Sequence, residues 1–156
     1  MGPDMKHTAP ARILAIAFLL VAAAGSALAQ TATPAGLWKT VDDSTKRDKS
    51  LVRIVETNGV YSGKVEKIID PESPKDSTCK ECSDERKDKP VVGMTIIRNV
   101  KASADDKAVF EGGDILDPNN GKVYRVRLRP FDDGKKLEVR GYLGPFYRNQ
   151  TWVKVE

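Results

Sequence analysis

Cys79 and Cys82 are the only thiols in a chain of 156 residues, and their Cys-x-x-Cys spacing offers three kinds of chemistry. The pair can close a disulfide, cycle as a redox couple, or supply half of a metal site shared with a second chain. Redox cycling needs a thiolate stabilised by a helix N-terminus or a cationic neighbour. Lys80 is adjacent, but Glu81 offsets its charge, and Pro71 and Pro74 disfavour a helix there. In an oxidising compartment the expected state is a disulfide that pins the surrounding polar loop. The ring it closes is very short, so its contribution falls at the low end of about 2–4 kcal/mol.

Carboxylates are paired at Asp42-Asp43, Asp105-Asp106, Asp114/Asp117 and Asp132-Asp133. Acid–base hydrolysis needs two carboxyls about 5–9 Å apart across a cleft, one with a raised pKa. Asp105-Asp106 and Asp132-Asp133 stand in turn sequences, where acids cap backbone. Asp114 and Asp117, with Arg140, are the pair best placed for an enzyme. Asp117, Asn119 and Gly121 could be read as calcium ligands, but they lack the twelve-residue ligand series of a known loop, and Asp117-Pro118 reads as a turn. No cofactor or metal site is expected.

Trp38, Tyr61, Tyr124, Tyr142 and Trp152 form an aromatic constellation on predicted strands. Aromatics line small-molecule pockets, and they also fill small barrels. The ligand-binding set read from the sequence is Trp38, Tyr61, Tyr124, Arg140 and Trp152.

One histidine is present, His7, within a segment that reads as an export signal. Lys6 and Arg12 precede the apolar stretch Ile13 to Ala24, and Ala27-Leu28-Ala29 follows. Twelve apolar residues are too few for a bilayer core that needs about 20, so the segment is a signal and not an anchor. Sec-type cleavage is expected near Ala29/Gln30, leaving 30–156 as one periplasmic or secreted domain without a membrane span. A mature chain without histidine has no Ser-His-Asp or Cys-His nucleophile and no imidazole metal site. The net charge is +4, and loss of Lys6, Arg12 and Asp4 leaves +3. The run Arg125 to Arg129 is balanced by Asp114, Asp117, Asp132 and Asp133, unlike the one-sided field of a nucleic-acid binder.

The elements that must position these residues are strands. Gly36 to Val41 opens the series. Leu51 to Thr57 and Val60 to Ile69 flank Asn58-Gly59, a strong hairpin signal. Residues 70–90 form a long polar excursion bearing the cysteines, and Val91 to Val100 is either a strand or a short helix. Ala108 to Glu111 reads as a strand and Gly112-Gly113 as a bulge or break. In Val123 to Arg129, Tyr124, Val126 and Leu128 alternate with three arginines, placing the apolar set on one face. Leu137 to Leu143 and Gln150 to Val155 complete the chain. About eight strands joined by short turns predict a single up-and-down antiparallel β-barrel, with a small β-sandwich as the alternative. Closure is favoured because it removes exposed strand edges.

Gly36-Leu37-Trp38, Cys79-Lys80-Glu81-Cys82, Asp117-Pro118 with Gly121-Lys122 and Tyr124, Arg140-Gly141-Tyr142-Leu143-Gly144 and Trp152 together resemble the bacterial domain of unknown function 2147. The resemblance spans about Gly36 to Val153 and implies an exported envelope protein with no assigned activity. Gly-x-Trp on a first strand is also similar to the opening motif of lipocalins and related calycin barrels. That likeness implies a Trp closing one barrel end against an arginine from a late strand, Arg140 or alternatively Arg148. Strand parity opposes Arg140, because Leu137, Val139 and Gly141 share the other face unless a bulge near Gly141 shifts the register.

Three functions follow as expectations. The first is non-enzymatic binding of a small apolar or amphipathic ligand, marked by an interior cavity of about 300 Å³ or more. The second is an envelope interaction or stress-related protein with a filled barrel and an apolar patch beside the cysteine loop. The third is a carboxylate enzyme, which requires Asp114, Asp117 and Arg140 to converge.

Overall fold

The computed structural model describes Gly2 and residues 32–156. The expected leader, residues 1–29, and its cleavage point lie outside the described residues apart from Gly2. Eight strands follow one another: β1 Gly36–Val41, β2 Asp48–Thr57, β3 Val60–Ile68, β4 Thr95–Ala102, β5 Phe110–Asp117, β6 Lys122–Phe131, β7 Lys136–Leu143 and β8 Phe146–Lys154. Each pairs with the next, and β8 pairs antiparallel with β1, so the sheet closes as an up-and-down barrel and the sandwich alternative falls.

Local chemistry explains the turns. Asn58 and Gly59 both adopt positive φ, as a two-residue hairpin requires. Asp117 accepts from the backbone N–H and the side-chain amide of Asn119 and from the side chain of Asn120, so it caps the β5–β6 turn. Val91 to Val100 resolves into two segments, with only the stretch from Thr95 in a strand. Val91 to Met94 return from the excursion, where Gly93 donates to Val65 O and Met94 O accepts from Val65. Gly112-Gly113 is the bulge and not the break, since β5 runs through it with a shifted register. β8 begins at Phe146, earlier than the alternation from Gln150 suggests, because Gly144-Pro145 closes a hairpin in which Leu143 pairs with Phe146.

The barrel has two unlike halves. At the end holding the β2–β3 turn and the chain terminus, Trp38, Ile54, Tyr61, Val100, Phe110, Leu128 and Leu137 are buried together. Tyr61 and Phe110 meet edge to face at 5.0 Å, a favoured aromatic geometry. Trp38 Nε1 donates to Pro34 O at 2.7 Å, satisfying the indole inside this plug. A Cβ at Gly36 would lie 2.9 Å from Glu156 O, so the glycine of Gly-x-Trp admits the chain terminus alongside it. The opposite end, carrying the β1–β2, β3–β4, β5–β6 and β7–β8 connections, is the mouth.

Candidate ligand site at the barrel mouth

A cavity of about 180 Å³ opens at the mouth. One wall is apolar, built from Val65, Ile68, Val91, Ile96, Ile115 and Leu116 on β3, β4, β5 and the returning loop. The other is polar, with Thr40 and Ser50 on β1 and β2 sharing a hydroxyl hydrogen bond of 2.8 Å. On β8, alternation turns Trp152, Gln150 and Arg148 toward the same space. Trp152 Nε1 donates to Gln150 Oε1 at 3.0 Å, Gln150 Nε2 donates to Asp43 Oδ2 at 3.0 Å, and Arg148 also donates to Asp43. This chain of hydrogen bonds runs from a buried indole to the solvent edge of the cavity. Asp42, beside it, accepts the backbone N–H of Thr45 at 2.8 Å and of Ser44 at 2.9 Å. The Thr45 backbone bond, followed by its hydroxyl, holds the Asp42 carboxyl below the ordinary carboxylate value.

The volume lies below the ~300–1,000 Å³ of sites for drug-sized ligands and slightly above the ~150 Å³ of a cavity that holds benzene. The barrel is therefore neither filled nor as hollow as the sequence expectation required. A larger depression of about 400 Å³ lies outside the barrel, between Glu85 and Arg98. Its charged walls, Glu85, Arg86, Lys89 and Arg98, and its exposure to solvent make it a surface hollow, whereas the smaller cavity is enclosed by strands.

Residues 69–94 cover one side of the mouth. Cys79 and Cys82 form a disulfide, and both are buried in the core cluster. Their turn sits directly on the β5–β6 turn: a Cβ at Gly121 would lie 1.9 Å from Glu81 O, at a φ of +68°. Arg86, also buried, donates to Asp84 through its side chain at 2.5 Å and to Thr95 O at 3.1 Å. Arg98 joins Glu85 at 2.8 Å and Asp114 at 3.2 Å, tying the loop to β4 and β5. The long excursion is thus an ordered wall of the site.

Of the ligand set read from the sequence, Tyr124 and Trp152 line the cavity. Trp38 and Tyr61 belong to the plug at the other end. Arg140 is outside, because β6, β7 and β8 pair in continuous register with no bulge at Gly141. There it donates to Asn149 at 2.6 Å and stacks 4.7 Å from the Tyr147 ring. The cation over Trp38 is Lys154, 5.5 Å from the ring, in place of either expected arginine. Asp114 is engaged by Arg98, Asp117 caps its turn, and Arg140 faces out, so these three do not converge. Among the described residues there is no cluster of three metal-ligating side chains. Sequence reasoning missed Asp43, Gln150 and Arg148. The alternation of β8 back from Trp152 is the signal that points to the latter two, whereas Asp43 is placed by a loop.

Residues 36–154 match the family described as "Uncharacterized protein conserved in bacteria (DUF2147)". The chain belongs to that family. In the solved structures, this DUF2147 protein is similar to one described as "Protein HP1028 from the human pathogen Helicobacter pylori belongs to the lipocalin family". The TM-score is 0.67 at 19% identity, covering 81% of this chain and 85% of the other. That likeness establishes a lipocalin-like barrel for the DUF2147 chain. No curated protein matches it.

Proposed function

We propose that this protein is a non-enzymatic binding barrel that holds a small amphipathic molecule at its mouth. The observation that carries the reading is the division of one small cavity into an apolar wall on β3 to β5 and a hydrogen-bonding wall on β1, β2 and β8. An apolar body of about the bulk of benzene fits against Val65, Ile96 and Leu116, with a polar head toward Gln150, Thr40 and Ser50. A lipocalin-like fold is compatible with such binding but does not by itself specify it. We place the protein in the periplasm or outside the cell. The basic, apolar and Ala-x-Ala order of the leader supports this, as does a buried disulfide, which persists in oxidising compartments.

The two tryptophans provide the test, since Trp152 borders the cavity and Trp38 does not. Titration with hexanol and hexanoate is expected to change the emission of Trp38→Phe protein and to leave Trp152→Phe protein unchanged. Native mass spectrometry of protein isolated gently from its own compartment should show a small co-purifying mass. No response of Trp152 to either probe, together with no added mass, would remove the carrier reading.

A further inference from the structure

The rim beside the cavity carries a surface that ligand enclosure does not require. Leu143, Phe146 and Tyr147, at the β7–β8 hairpin, are 47%, 76% and 61% exposed. Leu143 pairs with Phe146 and Tyr142 with Tyr147 across the hairpin, so by alternation the first pair continues the cavity-facing side past the rim and the second lies on the outer face. Single exposed apolar residues are ordinary, but a contiguous projecting cluster marks an interaction site.

On the outer face lie Arg125 of β6, level with Tyr142, and below it Arg127 of β6 and Arg140 of β7. Arg125 stands opposite Tyr142, its guanidinium 5.7 Å from the ring. Arg127 stands opposite Arg140. Like charges directly opposite on neighbouring strands oppose pairing, so fold stability does not explain this arrangement. The carboxylate across from Arg125, Asp114, is taken by Arg98 at 3.2 Å, and Arg140 has only Glu138 at 3.8 Å. Among the described residues, neither Arg125 nor Arg127 has an ion-pair partner.

We propose that this corner of the barrel docks on an anionic lipid bilayer. Leu143 and Phe146 at the tip enter the apolar boundary. Tyr142 and Tyr147 lie at headgroup level, where amphipathic rings concentrate. Arg125, Arg127 and Arg140 meet the lipid phosphates. An apolar tip, then a level of tyrosines with Arg125, then Arg127 and Arg140 one step lower, matches the depth profile of a bilayer and not the mixed polarity of an acidic protein surface. Docking deepens the cavity reading and rests on it only for its purpose, passage of a guest between cavity and bilayer. Among the described residues no helix is long and apolar enough to cross a membrane, so the contact is peripheral.

The test is flotation of the full-length mature protein with phosphatidylcholine vesicles, with and without phosphatidylglycerol. Wild type should float only with the anionic vesicles and release at high salt. The Arg125→Gln/Arg127→Gln/Arg140→Gln variant should partition more weakly by on the order of 100-fold, from about 5-fold per charge. Leu143→Ser/Phe146→Ser should also lose flotation. All variants should keep the Trp152 response to hexanol, which verifies the fold and separates the two claims. Failure of wild type to float, flotation unaffected by both variants, or binding to an acidic peptide but to no vesicle would each overturn docking. Flotation that persists without any hexanol response would overturn the cavity reading alone.

Discussion

Gly121 shows how one position couples a turn to a distant loop. Its φ of +68° alone makes alanine costly by about 1–2 kcal/mol, and a Cβ there would also strike Glu81 O. Gly59 supplies the control, with a φ of +79° and nothing within 4 Å of its Cβ position. Gly121→Ala is expected to lower the urea midpoint clearly more than Gly59→Ala, and to weaken hexanol binding, which Gly59→Ala leaves intact. Equal losses would show that the contact with the cysteine turn is dispensable. At this scale the sequence was partly legible. Tyr124 and Trp152, singled out by residue type, both border the cavity. Trp38 and Tyr61 were indistinguishable from them, because parity tells inside from outside but not which half of the barrel is hollow. Lys154 over Trp38 was missed because the strand-end register that sets it arises only on closure.

Residues 69–94 carry the corresponding lesson for an element. Low apolar content and prolines correctly marked an excursion between strands, yet the same polarity concealed how firmly it is held. Buried Arg86, held by Asp84 within the excursion, anchors it to β4 through Thr95 O. The Arg86 guanidinium, above all, pulls the Asp84 carboxyl down to about 2 from its ordinary 3.8. A lowered carboxyl stabilises the fold fully above its unfolded value, and that contribution is lost as pH falls toward 2. Asp84→Asn is expected to cost about 1–3 kcal/mol at neutral pH, because Arg86 keeps only Thr95 O. The gap between variant and wild type should close between pH about 4 and 2 in acid unfolding followed by fluorescence. A gap that stayed constant to the lowest pH would show that the ion pair is not its origin. The last strand begins earlier than the sequence shows, because apolar alternation starts only near Gln150 whereas register with β7 runs back to Phe146.

For the whole molecule, the up-and-down order was readable because each pair of alternating runs is joined by recognisable turn chemistry, and closure followed from the need to hide edges. The quality of the closure was not readable. β1 and β8 pair at Trp38 with Lys154 and at Lys39 with Val153, and Leu37 bonds the backbone of Val155 and Glu156 beside them, all at one end of the seam. Hydrogen–deuterium exchange should therefore open first along Thr40 to Asp43 and Arg148 to Thr151, and last in the β2–β3 hairpin, with hexanol slowing the former. Uniform protection around the ring would contradict this. Beyond Lys39 the seam is bridged by side chains, with Asp43 in the loop after β1 accepting from Arg148 and Gln150 of β8. Backbone rungs fix a circumference, whereas a side-chain clasp does not. For the proposed binding, a guest too large for 180 Å³ is expected to release this clasp while the seven other strand pairings stay as they are.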